Sequence, residues 1–270
     1  MTFLPIVARE LRVAARQPST SLLRFLAALI AVVIWLGLLG GRYSNASPAQ
    51  IGETLFGALS SLLFLLSLSA GVFLTADSLS SEKRDGTLGL LFLTDLKGYD
   101  VVFGKLASTS LKSAYAMLGA FPVLALPLLF GGITAGQFGR VSAILVLTLL
   151  LSLTCGLFMS ALAVQSRSGM GATFLFLFFI TAMLPLIYWV VEPVPETIRR
   201  LLLWPSPAFL FSVAGNGSLT PPELRAFYSS VAICTLFALL FLLGASVLLP
   251  LTWRDRVRVG SRRKITRRGP

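Results

Sequence analysis

The sequence predicts an all-α, polytopic membrane protein, and three observations lead there. Mean hydropathy is +0.85 and only 13% of the 270 residues are charged, too apolar for a soluble core under a polar coat. The apolar residues gather into six runs, at 22–40, 55–76, 106–131, 141–164, 171–191 and 227–251. Each is near the roughly 20 residues that a helix needs to cross a hydrocarbon core about 30 Å thick. The basic residues, 23 against 11 acidic ones, fall mostly in alternate connections between those runs. Residues 1–253 are accordingly read as one transmembrane domain and residues 254–270 as a basic cytoplasmic tail.

Taken in order, residues 3–16 have a helical period. Phe3, Val7, Leu11 and Ala14 share one face, Arg9, Arg12 and Arg16 share the opposite one, and Pro18 ends the pattern. A helix so divided lies in the membrane interface with its arginines toward anionic headgroups. It is too short and too charged for a signal peptide. Ser47-Pro48-Ala49-Gln50 reads as a capping box with proline at the first helical position, so the second spanning helix is expected from Pro48 to about Arg84. Thr220-Pro221-Pro222-Glu223 reads the same way before the sixth run. Pro122, Pro127 and Pro185 are expected to kink their helices. Ser152, Gly156 and Ser160 recur at intervals of four, and with Ser60, Ser67 and Gly71 they offer faces for close helix packing. Between the fifth and sixth runs, prolines punctuate a long connection. Within it, 196–204 is expected to form a short amphipathic or re-entrant helix carrying Leu201, Leu202, Leu203 and Trp204.

Topology follows from the basic residues. With the N-terminus inside, eighteen of the 23 Lys and Arg residues lie on inner segments. The other five, Arg42, Arg140, Arg199, Arg200 and Arg225, lie outside. An even number of spans keeps both basic termini cytoplasmic. The same bias accounts for the net charge of +12 without invoking nucleic acid.

Several kinds of chemistry are excluded by residue type. There is no histidine, which removes zinc proteolysis of the histidine–glutamate kind and serine–histidine hydrolysis. No acidic residue falls inside the apolar runs, so neither an aspartyl dyad nor an ion-coupled transport pathway is expected there. Lys112 is read as snorkelling to the interface. Cys155 and Cys234 sit far apart in apolar runs and are read as inert thiols. Gly98-Tyr99-Asp100-Val101-Val102-Phe103-Gly104-Lys105-Leu106 approximates a phosphate-binding loop. Its glycines are one residue too far apart, however, and leucine stands where a metal-binding hydroxyl is needed. The chain is therefore expected to be no enzyme and to carry no cofactor.

The segment between the second and third runs, 77–105, holds five of the eleven acidic residues and four of the 23 basic ones. It reads Glu82-Lys83-Arg84-Asp85-Gly86-Thr87-Leu88, then Gly89-Leu90-Leu91-Phe92-Leu93-Thr94. Asp85-Gly86 breaks the incoming helix and Thr87 can cap a new, apolar one. This cluster, followed by Gly-Thr-Leu and an apolar stretch, resembles the type-2 permeases of ATP-binding-cassette (ABC) transporters. The wider layout is similar to theirs as well, with an interfacial helix, six spans and a re-entrant or amphipathic segment between spans five and six.

That resemblance implies a membrane subunit of a bacterial ABC exporter in the plasma (inner) membrane. A separate ATPase chain binds ATP and magnesium, and two permeases, alike or different, pair with two ATPases. Glu82, Lys83, Arg84, Asp85, Gly86, Thr87, Leu88, Leu91 and Phe92 would form the coupling segment on which the ATPase docks. The chain departs from the family pattern at Gly89, where an acidic residue is common, and at Asp95, where proline is common. Mostly apolar spans favour a hydrophobic or amphiphilic cargo. The tail residues Arg262, Arg263, Lys264, Arg267 and Arg268 are assigned to the inner leaflet, where each contributes about 1 kcal/mol near anionic lipid. A second reading remains open at this stage: a membrane scaffold or assembly factor that recruits a cytoplasmic partner without transporting anything.

Overall fold

The computed structural model describes residues 47–80, 98–163, 165–190 and 202–266, and every regular element among them is helical. Five helices are long and apolar enough to cross a membrane: Pro48–Ser80, Tyr99–Phe130, Ala135–Leu162, Arg167–Tyr188 and Pro221–Leu249. They correspond to the second through sixth apolar runs. The run at 22–40 and the amphipathic stretch 3–16 lie outside the described residues.

Helix α1, Pro48–Ala70, starts as its sequence dictates. The Gln50 amide donates to Ser47 Oγ, the Gln50 side chain accepts from the Ser47 amide at 3.1 Å, and Pro48 occupies the first turn, where no donor is needed. The helix passes into a π turn over Gly71–Thr75 and continues to Ser80. Helix α2, Gly98–Ala125, begins with Asp100 in its first turn, a favourable place for negative charge. It breaks at Leu126 because Pro127 has no amide to donate, and α3, Pro127–Phe130, restarts with that proline at its first position. Gly131 and Gly132 both have φ of 81°, which glycine adopts without strain, and they turn the chain into α4. Thr134 Oγ1 caps α4, Ala135–Leu162, by accepting from the Gln137 amide.

Helix α5, Ser166–Phe178, passes through a second π turn at Phe179–Met183 into α6, Leu184–Val190. Pro185 supplies no amide, so the Thr181 carbonyl loses its ordinary partner; Ser206 Oγ donates to it at 3.2 Å. Ser206 also caps α7, Pro207–Ala214. Of the helix expected at 196–204, only residues 202–204 are described, with Leu202 and Leu203 in a short helical turn. The regular helix described in this connection is α7, one turn later. It buries Leu210, Val213 and Ala214 and stacks Phe211 on Phe64 of α1 at 4.7 Å.

Helix α8, Pro221–Thr266, is 46 residues long, about 69 Å at 1.5 Å per residue, and so continues well past a bilayer crossing. At its start the Glu223 carboxylate accepts from both the amide and the hydroxyl of Thr220, at 2.8 and 2.7 Å. The threonine hydroxyl thus donates to Glu223, where the sequence pattern has it accepting from the helix backbone.

Neighbouring spans run in opposite directions. Gly52 at the start of α1 lies against the Pro127 and Gly131 carbonyls, Gly132 lies against Ala49, and Gln137 at the start of α4 reaches Gly215. At the other end, Ser160 of α4 meets Leu79 and Ser80, and Gly169 of α5 meets Ala76. We label the first end outer and the second inner, after the orientation expected from the charge bias. Helix α4 is the hub, with 67% of its most apolar stretch buried against 17–44% in the other four. Outward-facing Leu65, Phe73, Leu118, Leu175, Leu236 and Leu243 remain exposed on the surrounding helices, as an apolar solvent permits. On the far side of α4, Gly244 leaves room for the Phe158 ring. The rings of Phe158 and Phe176 pack on Phe241 at 5.4 and 5.3 Å, fastening α4 and α5 to α8.

Candidate functional site at the inner end of the bundle

The described residues bring the two ends of the charged segment together. The described residues stop at Ser80 and resume at Gly98, on either side of 81–97. Leu79 on one side of it and Val101 and Val102 on the other are buried in a single cluster with Leu157 and Ala161 of α4 and Leu242, Ala245 and Leu249 of α8. Whatever acts on this segment therefore acts on two helices that are both packed against α4.

The α1–α4 seam explains how this end is held. Small residues come first: a Cβ on Gly71 would enter the Ser152 backbone, and one on Gly156 would enter the Gly71 carbonyl and the Thr75 hydroxyl. Only glycine at both positions lets the backbones meet, and close approach brings hydroxyls within reach of carbonyls on the facing helix. Ser152 Oγ lies 2.6 Å from the Ser67 carbonyl, to which it donates, and Thr75 Oγ1 lies 2.9 Å from the Leu153 carbonyl. Lower down, Ser160 Oγ accepts from the amides of both Leu79 and Ser80, each at 3.0 Å. All three hydroxyl residues are buried. None of these three hydroxyl contacts involves a charged group, and each hydroxyl reaches from one helix to the backbone of the other.

The π turn is the local feature that this packing surrounds. The Ala76 amide donates to the Gly71 carbonyl five residues back, so one extra residue is accommodated and the helix shifts register. A turn at Ala76 and Asp77 separates it from helical residues 78–80. Ser78 Oγ donates to the Thr75 carbonyl, and Ser80 Oγ to the Asp77 carboxylate at 2.7 Å. Gly169 at the start of α5 closes on the same turn; a Cβ there would lie 2.7 Å from the Ala76 carbonyl.

The outer end is built differently. Gln137 Nε2 donates to the Gly215 carbonyl, and Arg140 Nη2 donates to the carbonyls of Asn216 at 2.6 Å and Gly217 at 3.3 Å. These bonds clamp the loop between α7 and α8 onto the start of α4.

Of the residues singled out by sequence, Glu82, Lys83, Arg84, Asp85, Gly86, Thr87, Leu88, Leu91 and Phe92 lie outside the described residues, as do Arg9, Arg12, Arg16, Arg267 and Arg268. Arg262, Arg263 and Lys264 lie on the helical backbone of α8. Ser152, Gly156 and Ser160 form the close-packing face that their four-residue spacing implied, and its partners are Ser67, Gly71 and residues 79–80. Thr75, the two π turns and α7 were not singled out. Ser206-Pro207 repeats the Ser47-Pro48 start signal and marks α7; neither π turn has a comparable signal. Lys112 is half-buried in α2. Cys155 and Cys234 are buried on different helices. No group of three or more His, Cys, Asp or Glu side chains suited to a metal occurs among the described residues. Compared with known protein families and with curated proteins, the chain matches none.

Proposed function

We propose that this chain is the transmembrane permease subunit of a bacterial ABC exporter, moved by an ATPase on a separate chain that docks on the cytoplasmic segment between spans two and three. The observation that carries this reading is the mounting of that segment. It is charged at Glu82–Asp85 and apolar at Leu88–Leu93 in sequence, and it connects α1 to α2, whose flanking residues Leu79, Val101 and Val102 share one buried cluster with α4 and α8. A solvated connector has no use for five large apolar residues among six. A docking helix does, because an apolar face laid in a partner's groove is a common recognition mode. Permease dimers, alike or mixed, and cytoplasmic termini in the inner membrane belong to the same proposal.

The test is purification of the tagged chain from its own membranes with ATP hydrolysis measured in the eluate. Wild type is expected to bring down an ATP-hydrolysing subunit. Glu82→Ala combined with Gly86→Pro is expected to lose it while the chain still inserts. Undiminished recovery of coupled ATPase by that variant refutes the docking assignment.

A further inference from the structure

We propose that Ser160 is a latch: its hydroxyl holds residues 78–80 against α4 across a hinge at Ala76–Asp77. Movement that arrives at residues 78–80 then reaches α4 through this contact. The latch follows from geometry alone, whereas its role in coupling rests on the permease reading above.

Regular helical hydrogen bonding is interrupted within the candidate span Pro48–Ser80, between Gly71 and Asp77. The π turn ends with the Ala76 amide on the Gly71 carbonyl, Ala76 and Asp77 form a turn, and helix resumes only at 78–80. An unbroken helix transmits displacement along its axis as a rod, but a helix with a π turn and a break can pivot there. Two fastenings bracket the break. Above it, Thr75 Oγ1 lies 2.9 Å from both the Leu153 carbonyl and the Gly71 carbonyl of its own helix, and the glycines at 71 and 156 bring the two backbones into contact. Below it, Ser160 Oγ takes the amides of Leu79 and Ser80.

The lower fastening is of a different kind. One hydroxyl from a helix some eighty residues away accepts from two successive amides. Helix starts require such an acceptor for their first amides and ordinarily obtain it from the preceding residue. Here Ser160 of α4 supplies the oxygen for both amides. Ser78 and Ser80 hydroxyls bond within α1 itself, to the Thr75 carbonyl and to Asp77. Ser160 is buried completely, so water does not compete for the two amides in this arrangement. With the latch closed, residues 78–80 are part of the α4 body. With it open, residues 78–80 pivot at Ala76–Asp77 without carrying α4.

The experiment is amide hydrogen exchange on the full chain reconstituted in lipid vesicles. Ser160→Ala is expected to speed exchange at Leu79 and Ser80 by about tenfold, the change that loss of a buried hydrogen-bond acceptor produces. Ser152→Ala removes a hydroxyl from the same seam above the break and is expected to leave those two amides unchanged. Should Ser160→Ala not accumulate, Ser160→Cys keeps the volume with a weak sulfur acceptor and carries the same expectation. Unchanged exchange at Leu79 and Ser80, or an equal rise in the Ser152→Ala control, overturns the latch. The second arm compares ATP hydrolysis by the assembled complex with that of its ATPase subunit alone. Ser160→Ala is expected to bring that ratio toward one with the complex intact, and an unchanged ratio overturns the coupling role. Recovery of no ATPase by wild type refutes the permease reading, and the exchange result then still decides the latch.

Discussion

At its outer end α4 reaches a loop with long side chains, Gln137 and Arg140, whereas at its inner end it reaches a helix with the short side chain of Ser160. The outer bonds run from side chains of α4 to carbonyls of residues 215–217, and Arg140, Asn216 and Gly217 are in contact with solvent. The inner bonds are buried, carry no charge, and depend on two glycines that let the backbones touch. Long side chains tolerate small shifts of the loop that they hold. A seam of touching backbones has one register, and moves by switching rather than by stretching. The comparison teaches that the outer end is a clasp on a connection, while the inner end is a fitted joint with a break built beside it.

Substitutions separate the two, in descending order of effect. Gly71→Val places side-chain atoms inside the Ser152 backbone and is expected to cost about 3 kcal/mol, the upper range for overpacking, read as loss of unfolding free energy in detergent. Wild-type stability in that variant would mean that the seam is not closed at this point. Thr75→Val keeps the shape but removes the donor to the Leu153 carbonyl. Interhelical bonds in membranes and buried unsatisfied groups place its cost at about 1–2 kcal/mol by the same measurement. Arg140→Ala is expected to cost less, about 0.5–1 kcal/mol, because water replaces much of what an exposed donor gives. Its effect is local, read as faster proteolysis between α7 and α8 with the inner end unaffected. At the small end, Cys155 and Cys234 are buried, and neither is expected to react with a maleimide until the chain unfolds. Native labelling of Cys155 would show water in the seam between Gly71 and Gly156.

Those features were not equally legible in the sequence. The positions of the five described spans followed from hydropathy, and helix starts from Ser47-Pro48-Ala49-Gln50 and Thr220-Pro221-Pro222-Glu223, because caps are set by nearest neighbours. The Ser152–Gly156–Ser160 spacing foretold a packing face, since side chains four apart share one side of a helix. It could not say which helix would meet that face. The π turn at Gly71–Thr75 was illegible for a related reason. It is fixed by what α1 meets on α4, with Gly156 against Gly71 and Thr75, and no local residue pattern encodes that. Residues 207–214 were passed over although Ser206-Pro207 announces a start, because eight residues make a weak periodic signal beside six membrane-length runs. The docking segment remains a reading of sequence and resemblance. The structure adds the joint from which it hangs.

The most direct measurement of the central claim is crosslinking from that segment in native membranes. A photoreactive residue placed at Leu91 or Phe92 is expected to form a protein adduct, identified by mass spectrometry as a chain with a nucleotide-binding loop, and to form it more strongly when ATP is present. Adducts to lipid alone, or to a protein that binds no nucleotide, would contradict the account.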